Sequence, residues 1–385
     1  MKNNYHHIKV KSGKNLSHKP YWILFLSLFF IIMMIPSIIV FSSGQVSPFK
    51  NFFNQSNQMQ SSTNFQKRLE SVQKSSLNIG WVSANNQSFP DLAGYKNLKV
   101  VSPAIATIDT QNNLQVSSNS TITNTIQSQG KMVWARIIMN TDTKTNVHDF
   151  LTNHSKVQDL IKKIHQSALI NNWQGVNIDI ENVSKEDRKV FSQFIKNLSN
   201  ELNKTSIILS IDLPPDPNGK NNNQSPFDHV VIGKYCNYIV FMGYDQHWSS
   251  DPVPGPVTSL SWLQQNVQEF IQTGIASEKL ILGLPAYTRI WEQNRQGGIV
   301  RDPAEPIQYV ESLVERNHRN LSWDSTKGEY YISYGVNNLQ YKIWLPTAKS
   351  FTIYLNLISQ YHLAGSAVWN LNFMNRDYWN QIYNK

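Results

Sequence analysis

The chain has 385 residues, 40% of them apolar and only 16% charged, enough to bury a sizeable core in one large domain or two ordinary ones. Its formal charge of +9 overstates its basicity. Lys2, Lys9, Lys11, Lys14 and Lys19 precede the first apolar run, and no acid does. Without them the excess falls by more than half, which argues against a nucleic-acid-binding surface. A single cysteine, Cys236, excludes an intrachain disulfide and a cysteine-based metal cluster.

In chain order, residues 1–21 read as a basic cytoplasmic tail. Trp22 to Phe41 is a run of 20 residues without a charge, long enough to span a bilayer core as a helix. Pro36 is tolerated in such a helix, and the lysines before it predict a cytoplasmic N-terminus with the remainder outside. The rival reading is a cleavable signal peptide, whose apolar core is shorter and ends at an A-x-A-like site; Ser42-Ser43-Gly44 is a poor one. Residues 42–75, rich in Ser, Asn and Gln, read as a flexible stalk.

From 76 to 385 short apolar runs alternate with amphipathic segments. Strands are predicted at Leu77–Val82, Leu98–Ile105, Met132–Met139, Gly175–Ile180, Ser206–Leu213, Tyr238–Gly243, Leu280–Leu284 and Ser366–Leu371. Helices are predicted over Lys156–Ile170 and Lys185–Asn203, the second with a capping-box-like Ser184 and Asp187. Eight strands separated mostly by helix-length segments predict an α/β fold of the (β/α)8 TIM-barrel type. An open doubly wound sheet is the runner-up, but no G-x-G-x-x-G or P-loop follows any strand. Aromatic-rich runs such as Tyr330-Tyr331-Ile332-Ser333-Tyr334 break the alternation and predict a small α+β insertion over about 292–345, after the seventh strand.

The segment Gly175-Val176-Asn177-Ile178-Asp179-Ile180-Glu181 carries most of the chemistry. Its period of two puts Val176, Ile178 and Ile180 on one face and Asn177, Asp179 and Glu181 on the other. In an antiparallel sheet the polar face would simply meet water. Between two amphipathic helices, however, a strand belongs to a βαβ unit buried on both faces, where an amide and two carboxylates cost several kcal/mol unless paired or solvated. A barrel provides that solvation at the carboxyl ends of its strands. Two carboxylates on one face lie close enough for one to raise the other's pKa, as a general acid requires. They are poorly placed to flank a substrate from opposite sides.

These residues resemble the signature of glycoside hydrolase family 18, D-G-x-D-x-D-x-E on the fourth barrel strand, with Gln174 and Asn177 departing from its first two acidic positions. Met242-Gly243-Tyr244-Asp245 is similar to the family's M-x-Y-D, and Gly283-Leu284-Pro285-Ala286-Tyr287-Thr288-Arg289 to its G-x-P-x-Y-x-R. Gly255-Pro256-Val257 followed by Ser261-Trp262 resembles the spore-germination and cortex-lytic branch. Gly365-Ser366-Ala367-Val368-Trp369 resembles the last strand. The resemblance implies substrate-assisted retention by a β-N-acetylglucosaminidase, and the run at 22–41 adds a membrane anchor. Glu181 is then the acid/base, Asp179 stabilises the oxazolinium, and the Tyr244 hydroxyl holds the acetamido oxygen. Asn177, Met242, Asp245, Trp369, Tyr287 and Arg289 bind substrate. No cofactor is implied.

Each residue also has a plainer reading. Tyr244 and Asp245 could be a strand-end tyrosine and a helix cap, Trp369 a core filler, Arg289 a brace for the insertion. Asp245 with His247 suggests a metal but lacks a third ligand at usable spacing, so none is expected. Trp81 and Asn140 are further cleft candidates. The expected partner is an N-acetylglucosamine polymer, peptidoglycan of the cell wall or spore cortex, or chitin. The membrane is reached through the N-terminal helix, and a monomer is expected. The alternative class is a catalytically silent glycan-binding protein, which the retained Glu181, Asp179 and Tyr244 argue against.

Overall fold

The computed structural model describes residues 76–83, 90–117, 120–139, 143–216 and 225–384. The expected anchor at 22–41, the stalk at 42–75 and Asn140 lie outside them. Among the described residues no helix is long and apolar enough to cross a membrane.

The first strands are β1 (Leu77–Val82), β2 (Val100–Ile108), β3 (Leu114–Val116), β4 (Met132–Met139), β5 (Gly175–Asp179), β6 (Ile208–Leu213), β7 (Tyr238–Met242) and β8 (Leu280–Pro285). An antiparallel group follows: β9 (Tyr287–Gln293), β10 (Ile299–Arg301), β11 (Ala304–Pro306), β12 (Ser322–Asp324), β13 (Glu329–Val336) and β14 (Leu339–Leu345), with the helix Ile307–Arg316 among them. The final strand is β15 (Gly365–Trp369). Strands β1, β15, β8, β7, β6, β5, β4 and β2 pair in that order, and β1–β2 pairing closes the ring. All the ring's pairs are parallel, so the result is a closed eight-stranded parallel barrel. β3 is a short antiparallel addition to β2.

Strand periodicity divides the core in two. Outward-facing residues such as Val176, Ile178, Leu209, Ile211, Ile239 and Phe241 pack against the helices. The helix Arg188–Leu202, for example, buries Phe191, Phe194, Ile195, Leu198 and Leu202. Inward-facing residues form a separate cluster that includes Leu77, Ile79, Val100, Met132, Trp134, Ile208 and Tyr238. Trp134 stacks on Tyr238 at 5.4 Å between ring centroids. It takes the room left by Gly175, where a Cβ would lie 2.6 Å from its ring. Gly365 is needed for close approach of strands, because a Cβ there would meet the Leu77 carbonyl oxygen at 1.9 Å.

Several expectations shift. β6 begins at Ile208 rather than Ser206, because Ser206 adopts a left-handed conformation that ends the preceding turn. β2 slides forward to Val100–Ile108. The second predicted helix begins at Arg188, with Asp187 at its N-cap making no side-chain cap bond. The Asp187 carboxylate instead takes the Ser184 hydroxyl at 2.6 Å and lies 2.7 Å from His148 Nδ1. The antiparallel segment starts at Tyr287, earlier than the expected 292, because β9 follows β8 with only Ala286 between them and pairs at once with β11 and then with β14.

Candidate active site

Polar residues replace apolar ones toward the carboxyl ends of the inward faces. On β5, Asn177 and Asp179 point inward after Gly175, with Glu181 just beyond the strand end and exposed to solvent. Alternation on β2, β4 and β6 brings Ser102, Arg136 and Asp212 to the same interior, and all three are buried. Parallel pairing sets Arg136 opposite Asn177 across β4–β5.

These side chains form two bonded groups that lie side by side. Arg136 Nη1 donates to Asp179 Oδ2 at 2.8 Å, and the two side chains are 6% and 10% exposed. An opposite charge at this distance favours the Asp179 anion. Asn177 Oδ1 accepts from Ser102 Oγ at 3.0 Å and from Trp81 Nε1 at 3.2 Å. The Asn177 amide in turn donates to Asp212 Oδ1 at 2.9 Å, while Trp81 Nε1 also lies 3.2 Å from Asp212 Oδ2. Burial pushes the Asp212 carboxyl well above the ordinary aspartate range, and the charge of Asp179 adds to the shift.

An aromatic wall closes this group. Trp369 stacks on Tyr244 at 6.2 Å, and both rings sit edge-on to Trp81 at 5.8 and 6.2 Å. The Arg136 guanidinium lies over the Trp369 ring, 4.5 Å from its centroid. Tyr244 is almost fully buried. Burial raises its phenol pKa well above the usual value, and the charges of Asp212, Asp179 and Glu181 push in the same direction. The hydroxyl therefore stays protonated and available as a donor. Met242, one inward position below Tyr244, lies in the same interior cluster.

On the other side, Asp245 accepts from the Tyr287 hydroxyl at 2.6 Å. Arg289 Nη2 lies 3.6 Å from Asp245 Oδ1, and Arg289 Nη1 donates to the Asp302 carbonyl at 2.9 Å. Arg289 thus ties the Asp245 turn to the antiparallel segment. Burial, with the charge of Asp245 and the bond to it, raises the Tyr287 phenol and keeps it a donor. His247 lies 3.0 Å from the Asp251 carboxylate. Its ring fills the space where a Gly255 Cβ would stand, and the Gly255 carbonyl takes Trp291 Nε1 at 2.8 Å.

Residues 51–373 match the family described as glycosyl hydrolases family 18. The chain belongs to that family. It is a glycoside hydrolase related to cortex-lytic enzymes and chitinases. It is 28% identical over 323 residues to an uncharacterized glycosylase, YvbX, of Bacillus subtilis (strain 168), covering 80% of this chain and 90% of that one. It is 21% identical to the cortical fragment-lytic enzyme of the same organism, covering 57% of this chain but only 52% of that protein. Among solved structures it resembles the Bacillus megaterium QM B1551 spore cortex-lytic enzyme SleL, with a TM-score of 0.71 at 18% identity over 80% of this chain and 73% of that one. A chitinase from Chromobacterium violaceum ATCC 12472 gives the same TM-score at 18% identity over 80% of this chain and 98% of that one.

In this family 18 chain the predicted residues fall into two groups around the mouth. Asp179, Asn177, Tyr244, Met242 and Trp369 converge on the barrel interior, with Glu181 at its rim. Asp245, Tyr287 and Arg289 form a bonded trio beside it. Trp81 is 1% exposed and lies beneath the mouth rather than on a cleft surface. Sequence reading missed Arg136, Ser102 and Asp212. Arg136 carried a signal as the one polar residue of an otherwise apolar strand, whereas the strands of Ser102 and Asp212 hold further polar residues. Asp302, the further partner of Arg289, had no comparable signal.

Proposed function

We propose that this glycoside hydrolase is a retaining β-N-acetylglucosaminidase that cleaves peptidoglycan, spore cortex included, by substrate-assisted catalysis. The observation that carries the reading is the one-sided stacking of groups at the mouth. An exposed carboxyl, Glu181, stands one inward position above an Arg136-paired carboxylate, Asp179, beside a buried phenol that stays protonated, Tyr244.

In the first step Glu181 gives its proton to the glycosidic oxygen as the C1–oxygen bond breaks. The substrate's acetamido oxygen forms the new bond to C1, and Tyr244 donates a hydrogen bond that holds that oxygen in line. Asp179 accepts from the acetamido N–H and balances the oxazolinium's positive charge, an anion aimed where cationic charge develops. In the second step the Glu181 carboxylate takes a proton from water, which attacks C1 and opens the ring. Two inversions leave the β configuration. Trp369 gives the sugar an apolar floor, and Asp245 with Tyr287 and Arg289 forms a polar rim.

The likeness to cortical fragment-lytic enzymes supports peptidoglycan as the polymer. The lysine-flanked run at 22–41 supports a single-pass anchor with the barrel outside the cell, the stalk at 42–75 holding it off the bilayer. The antiparallel segment 287–345 then walls one side of the cleft.

The test is digestion of purified peptidoglycan and of N-acetylglucosamine oligomers by detergent-solubilised full-length protein. Borohydride reduction and mass spectrometry identify the new reducing end. N-acetylglucosamine ends from peptidoglycan support the reading; activity on the oligomers alone moves the substrate to a chitin-like polymer. An α anomer at first release, seen by NMR, overturns the mechanism. For topology, protease added to intact protoplasts should remove the barrel, and full protection refutes the anchor.

A further inference from the structure

Asp212 is a carboxyl deep in the barrel interior. It is 2% exposed, and no role in the reaction described above falls to it. A carboxyl in such a place costs several kcal/mol unless its bonds return it, and a serine or an apolar side chain would fill the position without that cost. Its surroundings are specific. One oxygen takes the Asn177 amide at 2.9 Å, and the other faces Trp81 Nε1 at 3.2 Å. Asn177 has its own oxygen occupied by Ser102 and Trp81, so its amide has one orientation and its NH2 group points at Asp212. Asn177 and Asp179 are successive inward residues of β5. Fixing the first therefore restricts the second from below.

We propose that Asp212 is a positioning residue for the glycosidase reaction: acting through Asn177, it holds Asp179 from behind, and its ionisable carboxyl tunes the proton affinity of the acids at the mouth. The inference rests on the reaction proposed above.

Among the described residues, the charges that act on Asp212 are those of Asp179 and Arg136, while Trp81 and Asn177 are uncharged donors. The Tyr244 phenol feels both Asp212 and Glu181. With one cation and two carboxyls enclosed, the neutral arrangement retains a single proton. Arg136 bonds Asp179 directly, so Asp179 is the anion and Asp212 keeps the proton. Burial, which acts on Asp212 most strongly, has the same direction. As pH rises and Asp212 ionises, a second negative charge appears beside Asp179. A residue at 212 that cannot ionise removes that step from the pH profile.

The experiment compares full-length wild type, Asp212→Asn, and the exchange variant Asn177→Asp with Asp212→Asn. The exchange returns one carboxyl and one amide to the same bonded pair, with the carboxyl moved to β5. Each is assayed across pH on soluble peptidoglycan fragments and an N-acetylglucosamine tetramer, with thermal unfolding followed in parallel. Asp212→Asn should lower kcat by about 10-fold or more with KM within about twofold, since the Asn177–Trp81 network loses an acceptor while the sugar-contacting groups remain. Its kcat profile should lose the alkaline step that ionisation of Asp212 gives the wild type. The exchange variant should recover most of kcat and the alkaline step. A folded Asp212→Asn protein with the wild-type profile overturns the proposal. So does an exchange variant, equally folded, that is no better than the single substitution, because a merely structural loss would not follow the carboxyl. A wild type inactive on both substrates overturns the reaction itself, and the inference with it.

Discussion

The amino-terminal and carboxyl-terminal halves of the barrel interior come from the same strands and the same inward-facing positions, yet they are chemically opposite. Toward the amino ends lie Leu77, Ile79, Val100, Met132, Trp134, Ile208 and Tyr238, a packed apolar plug. Toward the carboxyl ends lie Ser102, Asn177 and Asp212, bonded to one another or through Trp81, and beside them the Arg136–Asp179 pair. On β2, β4 and β6 one inward step turns an apolar residue into a polar one, at Val100 and Ser102, Trp134 and Arg136, and Ile208 and Ser210. The plug holds the strands at a fixed radius, and that fixed radius lets Arg136 on β4 reach Asp179 on β5 at 2.8 Å. Preorganisation at the mouth is thus a consequence of packing beneath it.

The contrast predicts that substitutions at the two ends separate activity from stability. The largest effect is expected for Glu181→Gln, which should lower kcat by about 10²–10⁴-fold, the usual weight of one general acid. Glu181 is exposed and contributes nothing to the plug, so the thermal midpoint should stay within a degree or two of wild type. A Glu181→Gln protein that retains full activity would break the assignment of the mouth as the reaction site. The complement is Trp134→Ala. Trp134 is 1% exposed and stacked on Tyr238, so its loss should cost about 3–5 kcal/mol of unfolding free energy in a denaturant titration. The kcat of the protein that remains folded should change far less than in Glu181→Gln.

Much of this was legible in the sequence, and the reasons differ by feature. The barrel was legible because hydrophobic periodicity is local. β1 and β4 begin and end where the alternation says, at Leu77–Val82 and Met132–Met139. The mouth was legible on β5 because three polar residues at spacing two cannot be accidental in a strand flanked by amphipathic helices. Asp212 was not, although Ile208-Leu209-Ser210-Ile211-Asp212-Leu213 has the same alternation. Which face of an isolated strand turns inward depends on its neighbours' register, and Asn177 stands opposite Ser210 only once β5 and β6 pair. The Tyr287–Asp245 bond joins residues 42 apart, and sequence periodicity carries no such distance. The early start of the antiparallel segment was hidden because β8 and β9 are both apolar-rich and nearly continuous.

A smaller perturbation sharpens the same contrast from below. Gly175 opens the inward face of β5, two residues before Asn177. A Cβ there would lie 2.6 Å from the Trp134 ring, which is itself locked against Tyr238 and cannot swing aside cheaply. Gly175→Ala should therefore destabilise by about 1–3 kcal/mol through overpacking. If the plug sets the geometry of the mouth, kcat should fall with it even though Gly175 touches no substrate. A Gly175→Ala protein with reduced stability and unchanged kcat would mean that the two halves are mechanically independent.

The smallest effect belongs to an acid outside both halves, and it tests whether pH acts on rate and stability through different groups. Glu311 lies on the helix Ile307–Arg316 of the antiparallel segment and accepts from the Tyr378 hydroxyl at 3.2 Å. Burial pushes its carboxyl up to about 7 from an ordinary 4.5, against the opposing pull of that hydrogen bond. The native protein therefore binds this proton more tightly than the unfolded chain does. The stabilisation it contributes is fully present below about pH 4.5 and is lost as pH rises through about 7. Because the group is partly solvated, the change should be less than about 1 kcal/mol. Denaturant midpoints measured from pH 4 to pH 8 should show this decline in wild type, and Glu311→Gln should flatten it. The pH profile of kcat should be the same in both proteins, because Glu311 is remote from Asp179, Asp212 and Glu181. A kcat profile that shifts with Glu311→Gln would show that the helix Ile307–Arg316 is coupled to the mouth, and the division between a stabilising scaffold and a reactive rim would have to be redrawn to include it.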